Sequence, residues 1–540
     1  MSRSRVRLFV GLLGTLGLAS LGCGDEAEGS DAGGGPVDPT QLEPLGADCE
    51  PLAPVELGDA VTRVANEDEL RQALAGGGSI LLTADIQATA PFPVSADAVV
   101  DGGGFAVDGG GSTHLFVTME TVRFTIQNVT LRNASNTVSD DEHFSYRSGA
   151  AIMARGFTAD GQPGSGALTV IDVTFENNRT KASGPGDIRG GAVYGFVMPD
   201  VTISGSTFVG NVGSNGGAIG GLGSSFSIID SVFVANETNG PGAGGELEGH
   251  GGAISLDAVS QNRVTAYLNI CGSRFEDNVA SNGGGAIYLI AHHQTGTEVT
   301  IDQSLFTGNR STSSSEGQGG AVILMDDDKH AVPASPAVNR ASVTNSAFVD
   351  NETQQQGGAF WYWTGGGSLV LGNVTWSNNR VRDDMGMGGA LAVARGPVAV
   401  VHNTFADNYA RFHGGGIQAS PEAMVSLRNT LFSNNTSNRE GGWANFHTNR
   451  PLQDDGGNLQ FLAPDLVIDT NSDAPVAEGV TRADPQLGPL QDNGGPTPTR
   501  ALPAGSPAVD AGVSDGALST DQRGTARQGA PDIGAFELAP

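Results

Sequence analysis

Between about residues 125 and 445 the chain alternates apolar and small polar residues at a period of two, in short runs closed by Gly, Asn or Asp. Val201-Thr202-Ile203-Ser204-Gly205-Ser206-Thr207-Phe208 is one such run, and Leu369-Val370-Leu371-Gly372-Asn373-Val374-Thr375-Trp376 is another. Period two with β-branched and aromatic residues predicts strands, and no segment of this region carries a helical period. Two motifs punctuate the runs. The first is an aromatic followed three residues later by Asn: Phe175/Asn178, Phe208/Asn211, Phe233/Asn236, Phe275/Asn278, Phe306/Asn309, Phe348/Asn351, Trp376/Asn379, Phe405/Asn408 and Phe432/Asn435. The second follows each first one, from Gly190-Gly191-Ala192-Val193 to Gly388-Gly389-Ala390-Leu391. Gly149-Ala150-Ala151-Ile152 opens the series, and Gly414-Gly415-Gly416-Ile417 and Gly441-Gly442-Trp443-Ala444 are degenerate last copies.

Successive aromatics lie 25 to 42 residues apart, so the shorter spacings are bare coils and the longest carry insertions. A coil of about 25–30 residues cannot bury its own apolar face and must stack on copies of itself. The prediction is an all-β, single-stranded parallel β-helix of about ten coils, roughly 50 Å long at about 4.8 Å per coil. Stacking makes the Phe residues an internal column. Asn is expected at a sharp corner in the left-handed conformation, its amide bonded to the same position one coil away. Paired Gly supplies positive φ at the next corner, beside an Ala that fits a narrow interior.

The flanks read differently. Arg3, Arg5 and Arg7 precede an apolar stretch, Leu8 to Leu18, too short to span a bilayer. Ala19-Ser20-Leu21-Gly22-Cys23 then resembles a bacterial lipobox, which implies a lipoprotein signal peptide over 1–22 and acylation of Cys23. Residues 23–45, rich in Gly, Asp, Pro and Glu, are expected to be a tether too polar to fold. Residues 46–124 read as an N-terminal cap and first coils, with a short helix over Glu67 to Leu74 closing the open end. Residues 451–540 form a separate C-terminal module.

Composition narrows the function. Gly reaches 81 residues without a collagen triplet, which suits a turn-rich repeat fold. The net charge of −31, with Lys only at Lys181 and Lys329, disfavours nucleic acid and other phosphate-rich partners. Cys49 and Cys271 are far apart and suggest no framework, so they are read as two isolated thiols.

The alternating Gly-Gly-Ala-[Ile/Leu/Val] and Phe-x-x-Asn copies resemble the repeats of chlamydial polymorphic membrane proteins and related bacterial right-handed β-helix proteins. That resemblance implies a right-handed, pectin-lyase-like superhelix displayed at the cell envelope. The chlamydial proteins end in an outer-membrane barrel, which nothing here resembles; the lipid at Cys23 is expected to replace it. Asp492-Asn493-Gly494-Gly495-Pro496, Gly505-Ser506-Pro507-Ala508-Val509-Asp510 and Asp532-Ile533-Gly534-Ala535-Phe536-Glu537 resemble the choice-of-anchor Q ending of bacterial surface β-helix proteins. Only Leu538-Ala539-Pro540 follow, consistent with anchoring at the other end.

Candidate chemistry is sparse. Asp326-Asp327-Asp328-Lys329-His330 follows a strand and holds one of the two Lys residues; carboxylates there could serve a lyase or hydrolase. Consecutive charges in an insertion are more often a solvated loop. His292-His293 occupies the equivalent place one coil earlier, so His292, Asp326 and Asp328 are the catalytic candidates, with a metal site as another use of the same group. Trp361-Tyr362-Trp363 puts its two indoles on one face, either a platform for sugars or protein or a filling for a wide coil. Asp510, Asp521, Arg523, Asp532 and Glu537 are read as ion pairs fixing the C-terminal module, with Ca²⁺ the alternative; no cofactor is expected otherwise. The reading is a non-enzymatic, lipid-anchored surface stalk contacting glycans or envelope proteins, with a polysaccharide lyase or glycoside hydrolase as the alternative.

Overall fold

The structure, a computed structural model, describes residues 45–136, 147–156, 164–180, 188–238, 249–259, 266–292, 297–315, 317–327, 339–437, 446–467 and 472–539. Residues 1–44 with Cys23, Lys181, His293, Asp328 to His330 and the motif at 441–444 lie outside the described residues, as do the side chains of His292 and Asp327.

The period-two runs are strands, stacked as a right-handed parallel β-helix. One coil consists of Val201–Ser204, Thr207–Val209, Val212–Gly213 and Ile219–Leu222, and the next begins at Phe226–Ile229. Each strand pairs in parallel with its counterpart above: Val201 with Phe226, Phe208 with Phe233, Val212 with Glu237, Ile219 with Ile254. The first-strand column starts at Val61–Val64 and ends at Gln453–Asp454, so the stack extends beyond the motif copies on both sides. A helix over Glu67–Gly76 replaces strands in the first coil; Asn66 caps it by accepting from Glu69 N, and Leu70 and Leu74 are buried. Insertions do not disturb the register, since Phe233 pairs with Phe275 and Phe306 with Phe348 across the two longest spacings.

Stacking gives each motif residue its place. Phe175, Phe208, Phe233, Phe275, Phe306, Phe348, Trp376, Phe405 and Phe432 form a continuous column, with near-parallel rings 4.4–5.5 Å apart. That spacing matches the strand separation that hydrogen bonding imposes. Each fully buried Phe contributes about 1.5–3 kcal/mol through the apolar surface it removes from water.

The motif Asn residues are fully buried and form a ladder. Asn309 Nδ2 donates to Phe275 O (2.9 Å) and to Asn351 Oδ1 (3.0 Å), while its own Oδ1 accepts from Asn278 N (3.1 Å) and Asn278 Nδ2 (2.9 Å). The expected coil-to-coil amide bond is therefore present, but the expected left-handed conformation is not on these Asn residues. It falls on the residue before each: Asn177, Gly210, Ala235, Asp277, Gly308, Asp350, Asn378, Asp407 and Asn434. The turn is made one position earlier so that the Asn itself can point inward.

The two glycines of the second motif also divide their work. The first has positive φ (Gly284, φ 67°), whereas the second, Gly285, lies against Gly320 O of the next coil, where a Cβ has no room. The expectation of positive φ holds for the first glycine only.

A further correction concerns the cysteines. Cys49 and Cys271 are joined in a disulfide, with Cα atoms 5.9 Å apart. The sequence separation gave no hint because an N-terminal segment returns along the flank of later coils.

The C-terminal residues beyond about 486 leave the stack and pack on the corner between first and second strands. Thr497 Oγ1 donates to Asn345 O (3.0 Å), Asn373 Nδ2 to Thr520 O (2.9 Å) and Ala535 N to Thr404 Oγ1 (3.0 Å). Leu502, Ala508, Ile533 and Phe536 bury themselves against Leu431 and Leu459.

Candidate functional site

The fourth strands of successive coils form a sheet whose inner face feeds the core. Phe360 and Tyr362 lie inward in the main core, and burial pushes the Tyr362 hydroxyl pKa up. Ile323, Trp361 and Ala392 form a separate apolar cluster, joined by the partly buried Tyr288, Met325 and Trp363. Strand alternation requires these to occupy the opposite, outer face of the same sheet. Both indoles thus face away from the helix axis.

They are not equally available. Trp361 is 8% exposed, and its Nε1 donates to Gln356 Oε1 (3.2 Å). Trp363 is half-buried, with the Arg395 guanidinium 5.9 Å from its ring centroid. Met325 pairs with Trp363 and Ile323 with Trp361, so the strip runs across adjacent coils. At its earlier end the His250 ring stacks on Tyr288 at 4.1 Å, and the Tyr288 hydroxyl lies 3.7 Å from Met325 Sδ. Burial, reinforced by Arg189, pushes the His250 pKa down to about 4 and keeps the ring neutral near pH 7. Arg189 pairs in turn with Asp257 at 2.9 Å.

Asp326 lies next to this strip but is only 2% exposed. Its carboxylate accepts from Thr364 Oγ1, from Gly365 N at 2.6 Å and from Asn339 Nδ2 at 3.3 Å. Thr364 Oγ1 accepts from Gly367 N (2.7 Å), so the carboxylate and hydroxyl together hold the turn that follows Trp363. A cavity of about 30 Å³ adjoins them, lined by Leu324, Asp326, Asn339, Arg340, Tyr362 and Thr364. A volume of that order holds a water or two, not a sugar ring. The register sets Ala291 beside Asp326 and His292 beside Asp327. His292 and the Asp run therefore share adjacent coils, with His292 aligned one residue beyond Asp326. Asp328 lies outside the described residues.

Of the acidic residues singled out in the C-terminal module, Asp521 and Glu537 form ion pairs. Arg523 meets Asp521 at 2.7 Å and Arg527 meets Glu537 at 3.0 Å, while Asp532 accepts from the backbone of Asp510 (2.8 Å) and Leu538 (2.7 Å). Among the described residues no group of three or more His, Cys, Asp or Glu is placed to hold a metal ion.

Two features escaped sequence reasoning. The residue immediately before each Gly-Gly pair, such as His250, Gln318 or Gln356, stands at the rim of the outer strip, and Gln318 and Gln356 bridge in register. Ser206, Ser231, Ser273, Ser304 and Ser346, each two before a motif Phe, form a second ladder, in which Ser231 N donates to Ser273 Oγ (3.2 Å) and Ser273 N to Ser304 Oγ (3.2 Å). The recurring Ser at that offset was the signal.

Residues 272–289, which contain one complete pair of motifs, match the family described as Chlamydia polymorphic membrane protein (Chlamydia_PMP) repeat. Comparison with curated proteins gives no match.

Proposed function

We propose that this chain is a surface-exposed protein of a Gram-negative cell envelope, whose β-helix is a non-enzymatic stalk that contacts glycans or other envelope proteins. The observation that carries this reading is the outward apolar strip of Trp363, Met325, Tyr288 and Trp361, separate from the core. Aromatic rings with a neighbouring guanidinium suit the apolar faces of sugars or a protein side chain. The matched repeat supports an envelope setting, because its family is described as membrane proteins. The lipobox at Cys23 supplies the anchor in this reading, and residues 451–540 are its choice-of-anchor Q type module.

The buried, turn-holding carboxylate of Asp326 favours a structural role over a lyase or hydrolase. The test joins a glycan-array screen of the full chain to a polyuronate lyase assay. Binding should fall about tenfold or more in Trp363→Ala, the usual weight of an aromatic anchor, while lyase activity stays at background. Polyuronate turnover abolished by Asp326→Asn would replace this reading with the enzymatic one. Membrane fractionation of Cys23→Ala checks the anchor, since the variant should appear in the soluble fraction.

A further inference from the structure

The described chain begins far from the end of the stack where its first strand lies. Four contacts track its course. Asp48 N donates to Gln303 Oε1 (3.0 Å), Cys49 is bonded to Cys271, Leu52 N donates to Ser204 Oγ (2.9 Å), and Val55 exchanges two hydrogen bonds with Gln127 (2.7 and 2.9 Å). Gln127, Ile171, Ser204, Ile229, Cys271 and Asp302 are successive partners in one column of the first-strand sheet. The segment therefore crosses the coils at right angles to their strands, running against the direction in which the stack grows.

The spacing is commensurate. From Val55 to Leu52, and again from Leu52 to Cys49, three residues cover two coils. Three extended residues reach about 10 Å, and two coil steps measure about 9.6 Å. A fully extended chain thus meets the same corner of every second coil, where a side chain or thiol can hold it.

From this match we infer that residues 45–58 are a disulfide-clamped strap, which sets Leu45 on the flank of the stack, beside the coil of Gln303. The C-terminal module occupies the same corner from Asn345 to Asn429, directly beyond the strap. Strap and module together close one edge of the rod along most of its length. The fourth-strand sheet with its aromatic strip belongs to a different side of each coil and stays clear of both.

Photo-cross-linking and proteolysis of the purified full chain test the strap. A photoreactive residue at Ala47 should cross-link to the coils around Gly272 and Gln303, because a Cβ at Gly272 would lie 3.0 Å from that of Ala47. A Glu-specific protease should cut after Glu56 about tenfold more slowly in the oxidised protein than after reduction or in Cys49→Ser, because the clamp opposes local opening. The second readout does not require the variant to fold unusually well, since reduced wild-type protein gives the same comparison. Free thiols at Cys49 and Cys271, cross-links to the first coils near Asp101, or equal cleavage rates in both redox states would each overturn the inference.

Discussion

At the scale of single residues, the corners carry most of the information. Two left-handed positions recur in each coil, five residues apart, as in Asp172 and Asn177, Asn345 and Asp350, or Asn373 and Asn378. Asn, Asp and Gly predominate there because their backbones tolerate positive φ. Ala235, with φ 50°, breaks this pattern and is exposed, so its methyl group gains no burial. Ala235→Gly should raise stability by about 0.5–1 kcal/mol, because Gly accepts the conformation without the steric cost; chemical denaturation would measure it. The sequence displayed this column, yet the more regular Asn beside it drew the assignment. Regularity reflected inward hydrogen bonding, while the left-handed site tolerates several residue types and so looks variable.

At the scale of elements, the Asn ladder and the Phe column are two stacks that exist only because coils repeat in register. Each ladder amide is satisfied by neighbours on both sides, so removing one member strands groups in the coils above and below. Asn309→Ala would leave Asn278 N–H, one Asn278 amide hydrogen and Phe275 O without their partner. The expected loss is about 2–4 kcal/mol, with hydrogen-exchange protection falling most in the coils of Asn278 and Asn351. The motifs made this element legible. The outer strip was legible only in part: alternation paired Trp361 with Trp363, but which side of the sheet they occupy depends on the inward anchoring of Phe360 and Tyr362.

At the scale of the molecule, the C-terminal module binds a titratable group into its contact with the helix. His402 is fully buried, occupies a left-handed corner between Asn373 and Asn429, and lies 3.0 Å from the Asn429 amide. Burial, aided by Arg527, pushes its pKa down to about 3 from 6.5. The unfolded chain therefore takes up a proton that the folded site refuses. This contribution to stability is intact above pH 6.5 and is lost as the pH falls towards 3. At pH 4.5 the loss is on the order of 2 kcal/mol. His402→Asn places in this corner the residue type found on both sides of it, so the variant should lose less stability between pH 7 and 4.5 than the parent. Unfolding midpoints of both proteins at the two pH values decide it. His114 and His250, also held down to about 4, act in the same direction in both proteins and cancel from the comparison.

Sequence alone determined the repeat, its parallel stacking, and which residues form the Phe and Asn columns, because each of those is a local pattern copied many times. It also determined that the motif residues are structural, which removed them from the search for a site. Tertiary structure decided the rest: the Cys49–Cys271 bond, the strap, the side of the sheet on which the tryptophans stand, and the fold-back of the C-terminal module. These are single contacts between segments up to 255 residues apart. A periodic pattern can announce what repeats, but a contact made once leaves no period to read.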